Sequence, residues 1–397
     1  MFDESPKKLI FTLNPGSSSR KYALFDGALC LLTINFELEN DKIFCKTSNF
    51  RGRTEKTATD LTDLNSAIYA AFHKISENFF DMYPNELATF AIRVVAPGDY
   101  FTKDRIVDDE FLVKLKKAEK FSPLHVPTVI NELAVVRKLY PSAKILAVSD
   151  SAFHNTMPPF IKYYPIDMKT ADEFGIKRYG YHGLSLEQTA RTLRSHDALP
   201  DKTIVLHLGS GSSVTALKRG KSLDTSMGFS PLEGLPSATR SGNIDVSAAL
   251  AIKEALDFQS AEELDEYLNE SAGFLGVSQK SGDMREIIKN MLRGDLKSHI
   301  AFTQYIYSVV GYVGKMCMTL GGADAIAFTG AIGFRSALVR ASILKHLECL
   351  GFQAAPQLNV NDPKETFLNI APANQKPILV LKTNEARALL HHAMISA

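Results

Sequence analysis

An α/β fold made of two related domains is predicted by three features of this sequence. Short apolar runs of strand length alternate with longer stretches whose apolar residues recur every three or four positions. In two places an apolar run enters a Gly/Ser turn and a second run leaves it: Gly16-Ser17-Ser18 and Gly211-Ser212-Ser213 lie 195 positions apart, close to half the chain. The length of 397 residues, with 45% hydrophobic and 22% charged, is enough for two buried cores and too long for one small domain. A repeat of that size reads as a duplicated domain with a cleft between the halves. No low-complexity linker separates the two series, so contact between the halves and closure about a hinge are expected.

The first series begins with short strands at Lys8–Leu13, Lys21–Phe25, Leu31–Phe36 and Ile43–Thr47. Asn14–Ser19 (NPGSSS) is turn chemistry, so the first two strands form a hairpin. Leu61–Phe80 is helical by its spacing, and Leu87–Val95 is a strand closing on Arg93-Val94-Val95. Asp108–Lys120 and Val126–Tyr140 are amphipathic helices, and Ala143–Ser149 is an apolar strand that stops at Asp150. The second series opens with strand Lys202–Leu208, turn Gly209–Ser213 and strand Val214–Lys218. Helices come next at Val246–Ala255, Ala261–Glu270, Met284–Leu292 and about Ile300–Leu320. Ala323–Thr329 is a strand ending in Gly330-Ala331-Ile332-Gly333, Ser336–Leu350 a helix, Pro377–Lys382 a strand and Asn384–Ile395 a final helix.

Charge and composition narrow the function classes. Lys+Arg (45) and Asp+Glu (44) nearly cancel, whereas a protein that neutralises nucleic-acid phosphates carries a basic excess. No apolar run is long enough to span a membrane, and the polar start Met1–Lys8 predicts no secretory signal. Cys30, Cys45, Cys317 and Cys349 are scattered without a CxxC, which argues against a disulfide framework or zinc site and fits a reducing cytoplasm.

Several residues could do chemistry. A Gly/Ser turn lets backbone N–H groups converge on an anion, and Asn14–Lys21 (NPGSSSRK) adds an amide, hydroxyls and two cations. It is neither GxxxxGK[ST] nor a GxGxxG that opens a helix, so neither a P-loop nor a Rossmann site is indicated; a polar hairpin tip is the plain alternative. Arg240, between Thr239 and Ser241, and Arg93, at a strand's carboxyl end, suit a carboxylate or phosphate; either alone also reads as a surface salt-bridge residue. Asp150 at a strand end is a common Mg²⁺ position, or an N-cap for the segment after it. Asp150 and His154 are spaced i,i+4 but lack a third ligand. His182, in the turn Arg178–Gly183 before a helix, reads equally as a donor to a phosphoryl group and as a packed histidine, and His125 and His207 are similar. Glu385 opens the last helix, where a first-turn acid is ordinary.

Taken together and in order, these strings resemble the acetate kinase family. Asn14–Lys21 is similar to its N-A-G-S-S-S-x-K, Arg93-Val94-Val95 to H-R-V-V-H-G-G, and Pro123-Leu124-His125 to P-L-H-N-P. Ser149–His154 resembles F-D-T-A-F-H, Arg178–Gly183 resembles R-Y-G-F-H-G, and His207-Leu208-Gly209 resembles H-L-G-N-G. Asp224–Gly242 is nearly the family string, Gly276-Val277-Ser278 with Asp283-Met284-Arg285 resembles G-V-S…D-x-R, Phe328–Gly333 (FTGAIG) resembles F-T-A-G-I-G, and Thr383-Asn384-Glu385 resembles T-N-E-E.

The resemblance implies two duplicated actin-like (ribonuclease H-like) domains around a central active-site cleft, residues 1–152 completed by 386–397, and 153–385 on the nucleotide side. It implies a homodimer that moves the γ-phosphoryl of ATP to acetate or another short carboxylate with Mg²⁺ (or Mn²⁺), giving acetyl phosphate and ADP, with no nucleic-acid or membrane partner. On that basis Arg93 and Arg240 grip acetate and the transferring group, and His182 donates to an equatorial phosphoryl oxygen. Asn14 and Glu385 serve the metal, and Asp150 helps to organise it directly or through water. Ser17, Ser19 and Lys21 contact phosphate together with Asn14. His207, Gly209, Ser210, Gly211, Asp283, Met284, Arg285, Gly330, Ala331, Ile332 and Gly333 line the nucleotide. Val95, Leu124, Tyr181 and Pro231 form the acyl pocket, with Tyr181 standing where the family usually has Phe.

The chain departs from the pattern at Ser210 (family Asn), Ala238 (Gly), Ala331-Ile332-Gly333-Phe334-Arg335 (G-I-G-E-N), Ala96-Pro97-Gly98 (H-G-G) and Val126 (Asn). The departures gather on the expected nucleotide and phosphate surfaces. Pyrophosphate in place of ATP, as some family members use, and a catalytically weak nucleotide-binding relative are therefore the alternatives.

Overall fold

The structure is a computed structural model and describes residues 9–16, 19–39, 42–79 and 87–396. The expectations for Met1–Lys8, Ser17, Ser18 and Phe80 lie outside the described residues. The chain divides into two compact units, Met1–Ala152 with Asn384–Ala397, and Phe153–Thr383.

The first unit holds an eight-stranded sheet. In chain order its strands are β1 (Leu9–Pro15), β2 (Ser19–Asp26), β3 (Leu29–Glu39), β4 (Lys42–Asn49), β5 (Thr54–Ala58), β6 (Leu87–Val94), β7 (Arg105–Ile106) and β8 (Lys144–Ser149). Across the sheet they run β5-β4-β3-β2-β1-β6-β8-β7. β1 is central and buried throughout, which is why it reads as one apolar run rather than an alternation. Phe11, Leu13 and Leu24 of the sheet form a core with Ile68 and Phe72 of the helix Ala67–Phe79 and with Leu133 and Val136 of the helix Val126–Leu139. The chain's last helix, Glu385–Ile395, returns to this unit and packs on β1, β2 and β6.

The second unit holds a six-stranded sheet: β9 (Lys202–Leu208), β10 (Ser212–Lys218), β11 (Lys221–Thr225), β12 (Ala325–Thr329), β13 (Phe367–Asn369) and β14 (Ile378–Leu381), in the order β11-β10-β9-β12-β14-β13. Its core sets Ile204, Leu206, Val214 and Phe328 against Val309, Val313 and Met316 of the 25-residue helix Leu296–Leu320.

The two sheets share one plan. β3-β2-β1-β6-β8 and β11-β10-β9-β12-β14 each pair antiparallel twice and then parallel twice. Gly16 and Gly211 fall in the same place in that plan, the turn between the first two strands. The repeat seen in the sequence is therefore a repeat of topology.

Local differences have local causes. β5 (TEKTA) is an exposed, polar edge strand, so it carries no hydrophobic period, and β7 has only two residues. β11 and β13 are short edge-side strands that were also not expected. Gly330–Gly333, read as a strand exit, opens a short helix, Gly330–Arg335. The expected helix Ala261–Glu270 is α-helical only over Ala261–Glu266 and continues as a π-turn over Tyr267–Ser271. The expected helix Ser336–Leu350 is Ala337–Leu347 followed by a 3₁₀ turn, Glu348–Leu350.

One core position carries a titratable acid. Glu132 is fully buried in the first unit, and burial pushes its carboxyl up from 4.5 to about 7, against the lowering pull of Tyr22 and Arg20. The folded chain thus holds this proton more tightly than the unfolded chain. The group favours folding at low pH, and that contribution is lost as pH rises from about 4.5 through about 7. Between pH 5 and pH 8, urea unfolding of Glu132→Gln is expected to gain a few kcal/mol, as an order of magnitude, relative to the unsubstituted chain. Parallel pH profiles for the two proteins would contradict that reading.

Candidate active site

Three parallel neighbours in the first sheet, β1, β6 and β8, deliver polar residues to one edge. Asn14 and Arg93 lie near the carboxyl ends of β1 and β6, and Asp150 comes directly after β8. Ligands of open α/β sheets collect at this edge because the loops leave there. The Asp150 N–H donates to the Val94 carbonyl at 3.0 Å, which extends the ladder by one residue and fixes its carboxylate. Arg93 Nη2 donates to Asp150 Oδ2 at 2.8 Å, and Nη1 donates to Asn14 Oδ1 at 3.3 Å. Glu385 Oε2 stands 3.6 Å from Arg93 Nη1 and accepts from Asn14 Nδ2.

Glu385 arrives from the far end of the chain. Asn384 caps the last helix by accepting the Arg387 N–H, which leaves Glu385 in the first turn, where an acid is favoured. Asp150 is fully buried and Arg93 is 13% exposed. Burial opposes the charge on Arg93, but Asp150 and then Glu385 more than offset it, so the guanidinium's pKa is raised. Arg93 Nε is buried with no hydrogen-bond partner, so the fork keeps donor capacity.

The oxygens around Arg93 are hard donors: two carboxylates and one amide. Among the described residues no group of three or more His, Cys, Asp or Glu could hold a metal alone. The set fits magnesium, which takes few protein oxygens and completes its shell with phosphate and water. It does not fit a zinc cage.

The second unit gathers a different set at the turn between β9 and β10. His182 sits in the left-handed region (φ 63°) just before the helix Gly183–Ser195. Its Nδ1 is 3.0 Å from Ser213 Oγ, and its ring stacks on His207 with centroids 4.2 Å apart. His207 Nδ1 is in turn 2.7 Å from Ser185 Oγ. A Cβ added to Gly211 would lie 3.3 Å from both His182 Nε2 and Arg240 Nη1, so the ring and the guanidinium both face this glycine. Arg240 is 8% exposed. The segment that carries it is laced by backbone bonds: Ala272 N–H to Thr239 O, Phe274 N–H to Ser237 O, Leu275 N–H to Ala238 O, and Ala238 N–H to Ser210 O. Gly330 (φ +76°) leaves β12 so tightly that a Cβ there would fall 2.4 Å from the Leu208 carbonyl.

The remaining expected residues are spread over both units. Ser19 flanks the first turn, and Lys21 is exposed on β2. Gly209 and Gly333 are buried, Gly211, Gly330 and Ile332 half-buried, and Ser210 and Ala331 exposed. Asp283 caps the helix Met284–Leu292 and binds the Arg285 side chain, while Met284 points into the core. Val95 and Leu124 belong to the first unit, Tyr181 and Pro231 to the second. The Tyr181 hydroxyl donates to the Phe229 carbonyl at 2.6 Å, so it braces the Phe229–Pro231 loop from within. His154 has both ring nitrogens engaged, Nδ1 with Ser222 Oγ at 2.8 Å and Nε2 with the Tyr181 carbonyl at 2.9 Å, which suits a packing role and not a metal ligand.

The sequence reading did not single out Ser185 and Ser213, which orient the histidines, or the cluster of Arg178 with Glu233, Tyr164 and the Thr225 carbonyl. It also passed over Glu132. An acid in the apolar run of Val126–Tyr140 was the available signal.

Known proteins share this outline. The acetokinase family model matches residues 9–391. The chain is 35% identical over 386 residues to the acetate kinase of Halothermothrix orenii, covering 95% of this chain and 96% of the relative. It is 33% identical over 382 residues to that of Sulfurovum sp., with 95% and 96% covered. Among solved structures, a propionate kinase from Francisella tularensis superposes with a TM-score of 0.86 at 31% identity, covering 98% of this chain and 99% of that one. Porphyromonas gingivalis acetate kinase gives 0.81 at 28%, with the same coverage.

The Arg93 cluster makes its own stability test. Asp150→Ala leaves a largely buried guanidinium without its closest counter-charge and is expected to cost about 3 kcal/mol in urea unfolding. A cost under about 0.5 kcal/mol, the level of an exposed pair, would mean that the ion pair is solvated.

Proposed function

Because the chain belongs to the acetokinase family, and so is a phosphotransferase with a carboxyl group as acceptor, we propose that it carries out the reversible, Mg²⁺-dependent transfer of the γ-phosphoryl of ATP to acetate. The observation that carries this reading is the Arg93 cluster: a permanently charged fork with spare donors, ringed by metal-type oxygens at the ligand edge of a sheet.

In the transfer, an acetate carboxylate oxygen attacks the γ-phosphorus. The bond to the bridging oxygen breaks in line, and ADP leaves with that electron pair. No proton changes hands, so the protein's work is positioning and charge stabilisation. Arg93 and Arg240 bind anionic oxygens of the acetate and of the transferring group and offset their mutual repulsion. His182, oriented by Ser213, donates from Nε2 to a phosphoryl oxygen as charge develops there. Ser19, Lys21 and the turns at Gly209–Gly211 and Gly330 supply phosphate and nucleotide contacts. Asn14 and Glu385 would hold Mg²⁺, with Asp150 organising it, and the ion would neutralise charge on the phosphates. Val95, Leu124, Tyr181 and Pro231 contact the acyl chain. The chain acts as a homodimer in the cytoplasm; family resemblance supports the dimer, and among the described residues no helix is long and apolar enough to cross a membrane.

The exposed Ser210 and Ala331 keep pyrophosphate as a second donor reading, because both stand on the expected nucleotide side with short side chains. Trapping acyl phosphate as hydroxamate decides between them. ATP, Mg²⁺ and acetate are expected to give product, and Arg240→Ala is expected to reduce it about a hundredfold or more. Product with pyrophosphate alone would transfer the assignment to that donor, and no product with either would leave a binding protein. Propionate is expected to differ from acetate by only ~1–3 kcal/mol in kcat/KM, the worth of one methylene. Glu385→Ala is expected to raise the Mg²⁺ concentration needed for half-maximal rate, and an unchanged titration would remove Glu385 from the metal's surroundings.

A further inference from the structure

Arg20 occupies a position that the alternation of β2 assigns to the core. It is 4% exposed, whereas its neighbour Lys21 is exposed. It also falls on the unspecified position of the N-A-G-S-S-S-x-K string, so the family resemblance gives it no role; the sequence alone counts it as one of the turn's two cations. Its guanidinium reaches two ways. Nη1 donates to the Gly16 carbonyl and lies 3.3 Å from the Ser19 carbonyl, the two ends of the turn, which is itself closed by the Gly16 N–H to Ser19 O bond at 2.8 Å. Nη2 donates to Thr128 Oγ1 at 3.2 Å and to Asn65 Oδ1 at 3.4 Å. Behind it, Glu132 Oε1 stands 3.7 Å from Nε and accepts from the Tyr22 hydroxyl at 2.6 Å. Thr128 and Glu132 are one turn apart on the helix Val126–Leu139, so a single helix face holds the guanidinium.

This arrangement is expensive for stability alone. A guanidinium and a carboxyl are taken out of water, and an apolar pair of similar volume would hold β2 to the helix at least as well. What an apolar pair cannot do is bond two backbone carbonyls at the base of a turn. The guanidinium offers donors in a fixed plane, so it fixes the spacing of the Gly16 and Ser19 carbonyls.

We propose that Arg20 is a positioning residue, clamped by Glu132, Thr128 and Asn65, that locks the base of the Asn14–Lys21 turn and so sets the affinity for the phosphoryl donor. The proposal rests on the reading of that turn as a phosphate site. An unlocked turn still samples the binding geometry, but the donor's binding must then order it, and that cost appears as weaker binding. Once bound, the reacting atoms are the same, so the chemical step is little changed.

The test reads the turn and the catalysis separately. In Arg20→Met, which keeps the stem and removes the donors, deuterium exchange of peptides covering residues 9–26 is expected to quicken at least fivefold. KM for ATP in the hydroxamate assay is expected to rise at least fivefold, with kcat within about twofold. Arg20→Lys keeps the charge without the fork and is expected to recover less than half of the KM effect. Should Arg20→Met not fold, Thr128→Val with Asn65→Ala removes the Nη2 anchors alone and is expected to shift KM in the same direction by at least twofold. Unchanged exchange would overturn the clamp. Faster exchange with an unchanged KM would overturn the link to the donor, and would count against the turn as a phosphate site and not against the clamp. The exchange readout needs no turnover, so it remains decisive even if the chain makes no acyl phosphate.

Discussion

A buried positive charge at the carboxyl edge of the first sheet is the constraint on which the site is built. A guanidinium can be held there only if opposite charge comes close, and the fold supplies two carboxylates, Asp150 after β8 and Glu385 from the last helix, together with the amide oxygen of Asn14 on β1. The last of these explains why the chain's end returns to its beginning. Packing Glu385–Ile395 on β1 and β6 brings an acid beside Arg93 and Asn14 that no nearby stretch of sequence provides. In the proposed reaction the same group of atoms would serve two kinds of ligand: a cation that wants oxygens, and an anion that wants the fork.

The second unit sets donors at the equivalent turn, with different residues on the same topology. There the first turn is bare of side chain at Gly211, and the donors come in from the flanks, from His182 and Arg240. Glycine is what lets them approach. The histidine is oriented by a serine on β10, and the arginine by a backbone lattice that leaves its segment little freedom. Duplication thus produced two edges with equivalent geometry that have diverged in chemistry, one rich in carboxylates and one rich in donors.

Most of the regular architecture was legible because buried parallel strands write continuous apolar runs. β1, β6, β8, β9 and β12 were all visible in that way, and the Gly/Ser turns gave away the repeat. β5 and β7 were not, because an exposed edge strand such as TEKTA has nothing to bury. Arg93, Arg240, Asp150 and His182 drew notice through their places beside strand ends and turns, and the ordered motifs supplied the family. What a linear reading could not give was partnership across long separations: Glu385 with Asn14, Ser213 with His182, and Arg20 with Thr128 and Glu132. These pairings depend on which faces meet after folding. Tyr181 makes the same point, since the sequence shows a hydroxyl where the family usually has Phe and only the fold shows it bonded to the carbonyl of Phe229.

The central claim is that the guanidinium of Arg93 acts on the reacting anions and does not merely complete an ion pair with Asp150. Chemical rescue tests it most directly: acyl phosphate formation by Arg93→Ala, measured with and without free guanidinium ion and alongside circular dichroism. The account predicts a folded protein with activity down by two orders of magnitude or more, partly restored by guanidinium in a saturable manner. A folded Arg93→Ala protein that keeps near-native turnover would contradict it.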